Sequence, residues 1–248
     1  MILSIIGTDT LAEAVVNCCT GHFGVFTAVH ADADIVWICH DTPIDDRGIP
    51  DSGWVMSRIQ DVMNELSGIA NPTKRPLILV SSQMPVGTTA RLEMLYPPYS
   101  FAHSPENIRV ATATSDFRNQ ARVVVGVRNA EKRTLLEQLF TPFTKHIIFT
   151  DPETAEMVKH SLNCFLGLQI AFINEVARIA KVVHADMDTI TGGLRTDFRV
   201  SPKAPLRSGA PFGGGHLARD IFTLSEIARA HDLHAPIIRH ITESNDAR

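Results

Sequence analysis

The sequence predicts an α/β domain with a mostly parallel sheet, followed by an all-helical domain built on one long helix. Through the first 150 residues, short β-rich apolar runs alternate with helical patterns, as in a parallel sheet covered by helices on both faces. From residue 151 this alternation stops, and a long apolar helical pattern begins. We therefore expect one domain over residues 1–150 and a second, helical one over residues 151–248.

The first domain contains a series of apolar runs with the length and composition of strands. These runs are Ile2–Ile6, Ile35–Cys39, Leu77–Ser81, Arg122–Val127 and His146–Phe149. Helical patterns separate them near Thr10–Thr20, Gly53–Ser67, Thr88–Leu95 and Ala130–Phe140.

The second domain begins with a helix-capping signal. Thr150 or Asp151 can cap a helix that has Pro152 in its first turn, where a missing N–H costs nothing. The helical pattern then runs to about His184, and its middle is apolar on nearly every face. A helix that is apolar all round needs to be buried on all sides, which favours packing against a second subunit. The sequence therefore predicts a homodimer formed through this helix.

The rest of the second domain is expected to be two helices separated by a loop. A short helix is predicted near Met187–Leu194, and a loop rich in proline and glycine covers Val200–Gly215. A final helix should start near His216 and break or kink at Pro236.

Charge and composition exclude several classes of protein. With 23 basic and 27 acidic residues the formal net charge is −4, and no dense basic run favours nucleic acid or an anionic membrane. We expect no membrane span and no signal peptide, because no apolar stretch appears long enough and the N-terminus lacks a basic start. Four cysteines without CxxC spacing indicate a reducing cytoplasm. No metal site is expected. The pair His231 and His234 has no further possible ligand nearby in the sequence, and neither has the adjacent pair Cys18 and Cys19.

The turn after the first strand has part of a dinucleotide-binding pattern. Gly7 lies where a strand–turn–helix unit places the first glycine of G-x-G-x-x-G, but the second glycine is replaced by Asp9. A carboxylate at that point would repel phosphate. An acidic residue that would hold a ribose at the end of a second strand has no clear equivalent, because position 27 is threonine. A purely structural turn and a nucleotide-binding turn both stay open.

Five further stretches, in this order along the chain, resemble motifs of the UDP-glucose/GDP-mannose dehydrogenase family. They are Ala33–Ile38 with Thr42-Pro43, Ser82–Thr89, Ser104–Glu106, Ala155–Asn163 with Phe172–Glu175, and Pro211–Asp220. Five motifs in the right order are far more specific than any one of them.

This resemblance implies a reduced Rossmann-like domain, an NAD cofactor, and a sugar nucleotide or related polyol as substrate. It places the catalytic groups at Lys159, Asn163, His216, Asp220 and Glu106. It places cofactor contacts at Gly7, Thr8, Asp9, Thr42, Pro43, Ser82 and Arg219, and substrate contacts at Arg199, Phe212, Gly213 and Gly214. In the family, the residue matching Arg199 reaches the substrate of the partner subunit.

The departures from the family pattern change the expected chemistry. The nucleophilic cysteine is His216, the water-orienting threonine is Gln83, and the motif lysine is Arg219. The segment that would hold the second strand and the adenosine side of the cofactor site is expected to be missing after Thr20, and the C-terminal nucleotide-sugar domain is expected to be absent. We therefore expect NAD binding to be weak or lost. His216 would be a neutral base at a helix start and a poor substitute for a thiolate that must form a covalent adduct, so oxidation should stop after one hydride transfer.

Each of these residues also has a plain structural interpretation. Lys159 could be solvated, Glu106 a cap, Asp220 a first-turn acid that favours the helix dipole, Arg199 an exposed loop arginine, and His216 a space filler. Three function classes follow: an NAD-dependent oxidoreductase, a non-catalytic or regulatory relative that keeps the fold, and a non-redox lyase or epimerase.

Overall fold

The computed structural model describes residues 1–45, 49–69, 74–106, 108–213 and 215–247. The contacts between its residues divide the chain into two compact units. The first consists of Met1–Pro43 and Asp51–Lys159, and the second of Ile44–Pro50 and His160–Arg248.

The first unit contains a mixed sheet, which has seven strands within the described ranges, flanked by helices. Its elements are β1 (Ile2–Ile6), α1 (Thr10–Cys19), β2 (Gly24–Phe26), β3 (Ile35–Ile38), α2 (Ser52–Ile69), β4 (Leu77–Val80), α3 (Thr88–Leu95), β5 (Phe101–His103), α4 (Ala113–Arg118), β6 (Val123–Val127), α5 (Arg133–Phe140) and β7 (Ile147–Thr150). Short 3₁₀ turns at Val110–Thr112 and Ala130–Lys132 precede α4 and α5.

The strand order is β2-β1-β3-β4-β5-β6-β7, and neighbouring strands are parallel except for the antiparallel pair β5 and β6. The chain runs outward from β1 in both directions, so the switch point of the sheet lies between β1 and β3. The predicted fold class, a Rossmann-like parallel sheet followed by helices, is confirmed.

The prediction that the second strand is missing is wrong. β2 follows α1 directly and pairs in parallel with β1 over three residues, from Ile2 opposite Gly24 to Ser4 opposite Phe26. This strand is short and partly exposed, so its sequence has no continuous apolar run. It ends at Phe26, so Thr27 stands where an intact dinucleotide site has its ribose-holding acid.

Apolar side chains cover both faces of this sheet. Leu3, Ile5 and Trp37 belong to one buried cluster, and Val36 and Ile38 belong to the cluster on the opposite face. Because successive strand residues point to opposite faces, β3 contributes alternate side chains to the two clusters. Strands buried on both faces read as unbroken apolar runs, which explains why most of them were predictable from sequence.

The second unit is helical. It contains most of α6 (Pro152–Val182), followed by α7 (Met187–Thr196), α8 (Gly215–Ala230) and α9 (Pro236–Asp246). Its own core is formed by α6, α8 and α9, through Cys164, Ala171, Ile221, Leu224 and Ile241. The final helix was expected to run as far as Pro236 and break or kink there, but α8 already ends at Ala230. Pro236 instead begins a separate helix, α9.

α6 is the one helix in the described ranges that is long and apolar enough to cross a membrane by length and composition. The expectation of no sufficiently long apolar stretch did not anticipate this. One third (33%) of its most apolar 18-residue window is buried within the protein, and core helices of globular proteins meet the same criterion.

Candidate functional site

The turn between β1 and α1 keeps the first glycine of a dinucleotide-binding turn. A Cβ atom at Gly7 would lie 2.8 Å from the Cβ of Ala12 and 2.9 Å from the carbonyl oxygen of Cys39. Only glycine fits this close approach of strand, helix and neighbouring strand. Gly7 therefore has the packing role that the motif requires, and the adjacent Thr8 is exposed.

Asp9 caps α1 with its own carboxylate. One oxygen, Oδ1, accepts hydrogen bonds from the backbone N–H groups of Leu11 (3.0 Å) and Ala12 (3.2 Å). The other oxygen, Oδ2, accepts a short hydrogen bond from the backbone N–H of Asp41, in the segment after β3. The N–H groups at this helix start are the donors that hold pyrophosphate in an intact dinucleotide turn. Here a carboxylate of the chain itself takes two of them.

The segments after β3 and β4 are joined to each other. The Thr42 hydroxyl donates to the backbone carbonyl of Gln83, and the carbonyl of Pro43 accepts from Asp51 N at 2.8 Å. Ser82 is buried, and its hydroxyl has no hydrogen-bond partner among the described residues. An unsatisfied buried hydroxyl is costly, and a ligand group that reached Ser82 would offset that cost.

The residues at the ends of β1, β3 and β4 fit NAD only in part. Gly7 and the buried hydroxyl of Ser82 suit it, whereas the start of α1 does not offer its N–H groups to a pyrophosphate while Asp9 holds them. β2 also ends without an acidic residue.

Lys159 and Glu106 form an ion pair in the first unit. The Lys159 ammonium lies 3.4 Å from Oε1 of Glu106, and both side chains are largely buried. The other carboxylate oxygen of Glu106 accepts a hydrogen bond from Ile108 N at 2.8 Å. Lys159 is only 6% exposed, so the solvated interpretation of this lysine is wrong. Burial of these two charges costs desolvation free energy, which their mutual attraction and the Ile108 hydrogen bond offset. A buried ammonium beside a carboxylate is a candidate for proton transfer or for holding an oxyanion.

Glu156 is a buried acid that the sequence analysis missed. Its carboxylate accepts hydrogen bonds from the backbone N–H groups of Gly87 (2.6 Å) and Thr89 (2.9 Å), and from the Thr89 hydroxyl (2.7 Å). Gly87 precedes α3 with a φ of +92° and provides no side-chain cap. Glu156 supplies that cap from α6, and its burial raises the pKa of the carboxyl above its usual value. It fixes the start of α3 and the end of the segment after β4.

A buried network lies inside the second unit. Asp220 is fully buried and accepts from two residues of α6: its Oδ1 is 2.8 Å from Nδ1 of His160, and its Oδ2 accepts a short hydrogen bond from the Asn163 amide. α8 begins at Gly215, so Asp220 lies beyond its first turn, and the interpretation of Asp220 as a first-turn acid is wrong. His160 is a second residue that sequence reasoning missed, although a histidine three residues before Asn163 on one helix face was visible.

His216 lies near the start of α8, as predicted, and its Nδ1 is 3.2 Å from Nη2 of Arg219. Arg219 is itself buried. The backbone N–H and carbonyl of Phe212 are both held by the side chain of Asn245, at 2.8 and 3.2 Å. Gly213 is exposed, and Gly214 lies outside the described residues.

Arg199 follows α7 in an exposed loop. Its guanidinium forms two hydrogen bonds with the carboxylate of Asp197, at 2.9 and 2.7 Å, and its side chain is mostly exposed. The intervening Phe198 is 96% exposed. Within the second unit alone, these residues face solvent and belong to no buried site.

Comparisons with known proteins agree with the fold and with the motifs. Residues 4–144 match the model of the UDP-glucose/GDP-mannose dehydrogenase family NAD binding domain, and residues 153–247 match its central domain. The chain is 30% identical over 221 residues to the UDP-glucose 6-dehydrogenase TuaD of Bacillus subtilis (strain 168), covering 86% of this chain and 46% of that protein. It is 32% identical over 206 residues to YwqF, a UDP-glucose 6-dehydrogenase of the same strain, covering 80% of this chain and 45% of YwqF.

The structure of a UDP-glucose dehydrogenase from Pyrobaculum islandicum has the same fold. It superposes with a TM-score of 0.84 at 21% identity, over 99% of this chain and 68% of that one. The chain thus spans about half the length of the curated relatives it matches. With both domain models matched in order, this chain belongs to the UDP-glucose/GDP-mannose dehydrogenase family.

Proposed function

We propose that this chain is an oxidoreductase that oxidises an alcohol of a sugar nucleotide or related polyol by one hydride transfer, with weakly bound NAD as the hydride acceptor. The observation that carries the proposal is the buried ion pair of Lys159 and Glu106. The relatives TuaD and YwqF are UDP-glucose 6-dehydrogenases by name, which supports the substrate class.

Lys159 and Glu106 would handle the proton that leaves the alcohol. When a carbon gives up a hydride, its hydroxyl loses a proton and becomes a carbonyl. A fixed ammonium stabilises the developing alkoxide, and an adjacent carboxylate can accept the proton. Because Glu106 is anchored at the Ile108 N–H, its second oxygen stays directed to Lys159. These two side chains can therefore do the acid–base work of a single oxidation.

The second oxidation of the family needs a group that this chain lacks. It proceeds through a covalent adduct of an aldehyde with a cysteine thiolate, and His216 has replaced that cysteine. An imidazole is a poor substitute for a thiolate that must form and release such an adduct. We therefore propose an aldehyde or ketone as the product, and one NADH per substrate.

NAD would be held by Gly7, Thr8, Thr42, Pro43 and Ser82 of the first unit. The sugar nucleotide would be held by Arg199, Phe212, Gly213 and Gly214, with Asn163 and Asp220 as further catalytic groups. We also propose that the chain acts as a homodimer in the cytoplasm. Its four cysteines are free and buried thiols, which suits a reducing compartment.

The experiment is incubation of the purified chain with NAD and a panel of UDP- and GDP-sugars, with NADH absorbance followed and the product identified. We expect one NADH per substrate consumed and a carbonyl product. Lys159→Met should lower the rate at least about a hundredfold, whereas Lys181→Met, an exposed lysine of the same helix, should leave it unchanged. Two NADH per substrate with a carboxylate product, or no NADH from any sugar, would refute the proposal.

One observation favours a second candidate, a non-catalytic relative that retains the fold. The polar groups expected to meet ligands already have partners within the protein: Asp9 is bonded at the start of α1, and Asn163 is bonded to Asp220. A chain of this kind would bind a sugar nucleotide without producing NADH. Calorimetry on the same panel separates it from the oxidoreductase.

A further inference from the structure

Asp9 lies where an intact dinucleotide-binding turn has a glycine, and its carboxylate has a definite position. It accepts three backbone hydrogen bonds, from Leu11 and Ala12 at the start of α1 and from Asp41 after β3. These bonds join the ends of β1 and β3, the two strands on either side of the switch point of the sheet.

Helix N-termini bind anions because their first N–H groups lack partners within the helix and carry partial positive charge. In a dinucleotide fold the anion is the pyrophosphate of the cofactor. In this chain the anion is a carboxylate from the turn itself. It satisfies the same donors, and it places a negative charge where two phosphates would have to come.

We propose that Asp9 is an internal anion that occupies the pyrophosphate position and competes with NAD, so that it sets the weak cofactor affinity of this chain. The inference rests on the proposed use of NAD. For NAD to bind in the usual way, the Asp9 side chain has to leave the Leu11 and Ala12 N–H groups and its bond to Asp41. Removal of the carboxylate should free the helix start for the phosphates.

Removal of the Asp9 carboxylate should lower the stability of the free chain and raise its affinity for NAD. Without ligand, Asp9→Ala loses the cap of α1 and the bond to Asp41, so its melting temperature should fall by about 2–4 °C. With ligand, Asp9→Gly should bind NAD about ten- to a hundredfold more tightly, because phosphate oxygens can then accept charge-assisted hydrogen bonds from the freed N–H groups. Damage to the fold would weaken both properties together.

Asp51→Gly is the matched control. Asp51 also accepts a backbone hydrogen bond at a helix start, from Trp54 N of α2 at 2.9 Å, and its loss changes the net charge by the same amount. The bond from Asp51 N to the Pro43 carbonyl does not use the side chain, so Asp51→Gly keeps it and should change NAD affinity far less than Asp9→Gly does.

The test is calorimetry of the wild-type chain, Asp9→Gly and Asp51→Gly with three probes: NAD, inorganic pyrophosphate and adenosine. We expect Asp9→Gly alone to gain affinity for NAD and pyrophosphate, with adenosine unaffected. Equal NAD affinity in the wild-type and Asp9→Gly chains, or an equal gain in Asp51→Gly, would overturn the proposal. Failure of the proposed oxidoreductase is seen separately, as absence of NADH formation by a chain whose NAD binding has been measured.

Discussion

Arg219 donates a hydrogen bond from its guanidinium Nη2 to Nδ1 of His216, over 3.2 Å. Arginine has no acceptor, so the histidine nitrogen must be the acceptor in this pair. The proton of a neutral His216 therefore sits on Nε2, and the ring presents an N–H group rather than a free lone pair on that side. In this state His216 can donate a hydrogen bond but cannot take a proton at Nε2, so the base in the proposed reaction would be Glu106.

The first prediction introduces a cysteine at position 216, where the resemblance to the family implies a nucleophile. In His216→Cys, the thiol would lie near the start of α8 and beside Arg219, and both features favour the thiolate. We expect the yield of NADH per sugar nucleotide to rise from one to two, with a carboxylate as the final product. Product analysis by mass spectrometry together with NADH absorbance measures this directly. A yield that stays at one would show that more than the cysteine has been lost.

The matched variant His216→Ala tests the histidine itself. If His216 only donates a hydrogen bond, its removal should slow the single oxidation about tenfold or less and leave the yield at one NADH. A loss of a hundredfold or more would instead assign it an acid–base role.

The second prediction concerns the pH dependence of stability through Glu156. Burial raises the pKa of this carboxyl in the folded protein above its value in the unfolded chain. A raised folded pKa means that the folded state holds the proton more tightly. The stabilisation is then present below the unfolded pKa and is lost as pH rises through the folded one.

Urea unfolding at a series of pH values measures this effect. As the pH rises above the ordinary glutamate pKa of about 4.3, the wild-type chain should lose stability relative to Glu156→Gln, which cannot titrate. Glu137→Gln, at an exposed position of α5, should follow the wild-type curve. A wild-type chain that gains stability relative to Glu156→Gln over this range would contradict the assigned direction.

Most of the sheet was predictable because its strands are continuous apolar runs, but two strands were not. β2 is exposed at both ends, and β5 has only three residues. β5 is buried because neighbouring elements cover it, and its sequence has no strand pattern that would predict it. Nothing in the sequence indicates that β5 pairs with β6 in the antiparallel direction. Local periodicity could not reveal either strand.

The candidate site, like the sheet, was predictable from the sequence only in part. The family motifs pointed to Lys159 and Asp220, but the partners of the buried polar groups are far away along the chain. His160 meets Asp220 across 60 residues, and Glu156 meets Gly87 across 69. Such pairs are formed by the tertiary structure, so a single sequence provides no spacing rule for them. The cap that Asp9 makes on α1 is local, and it could have been read from its position directly before a helix.

The third prediction tests the buried network of the second unit. In Asp220→Asn, one acceptor oxygen is replaced by a donor, so either His160 or Asn163 loses its partner in a buried place. We expect the free energy of unfolding to fall by about 1–3 kcal/mol. Glu226→Gln, in the same helix but in an exposed ion pair with Arg229, should change it by less than about 0.5 kcal/mol. Equal effects in the two variants would show that the network contributes nothing particular.

The last prediction concerns the apolar stripe of α6, which we define as Phe165, Phe172 and Ile179. These residues recur every seven positions, so they share one helix face, and they are 56%, 52% and 63% exposed in the second unit. Exposed apolar side chains in such a row are a candidate interaction surface, and a second copy of the chain presents the same helix.

Sedimentation equilibrium at micromolar concentration should therefore find a dimer. Phe172→Glu should convert it to a monomer, because the variant would bury a charge without a partner at the interface. Lys181→Glu makes a charge change on the opposite face of α6, at an exposed position, and should leave the dimer intact. If the wild-type chain sediments as a well-behaved monomer, the stripe is not a dimer interface. If Lys181→Glu dissociates the dimer as readily as Phe172→Glu, the interface lies on another face of the helix.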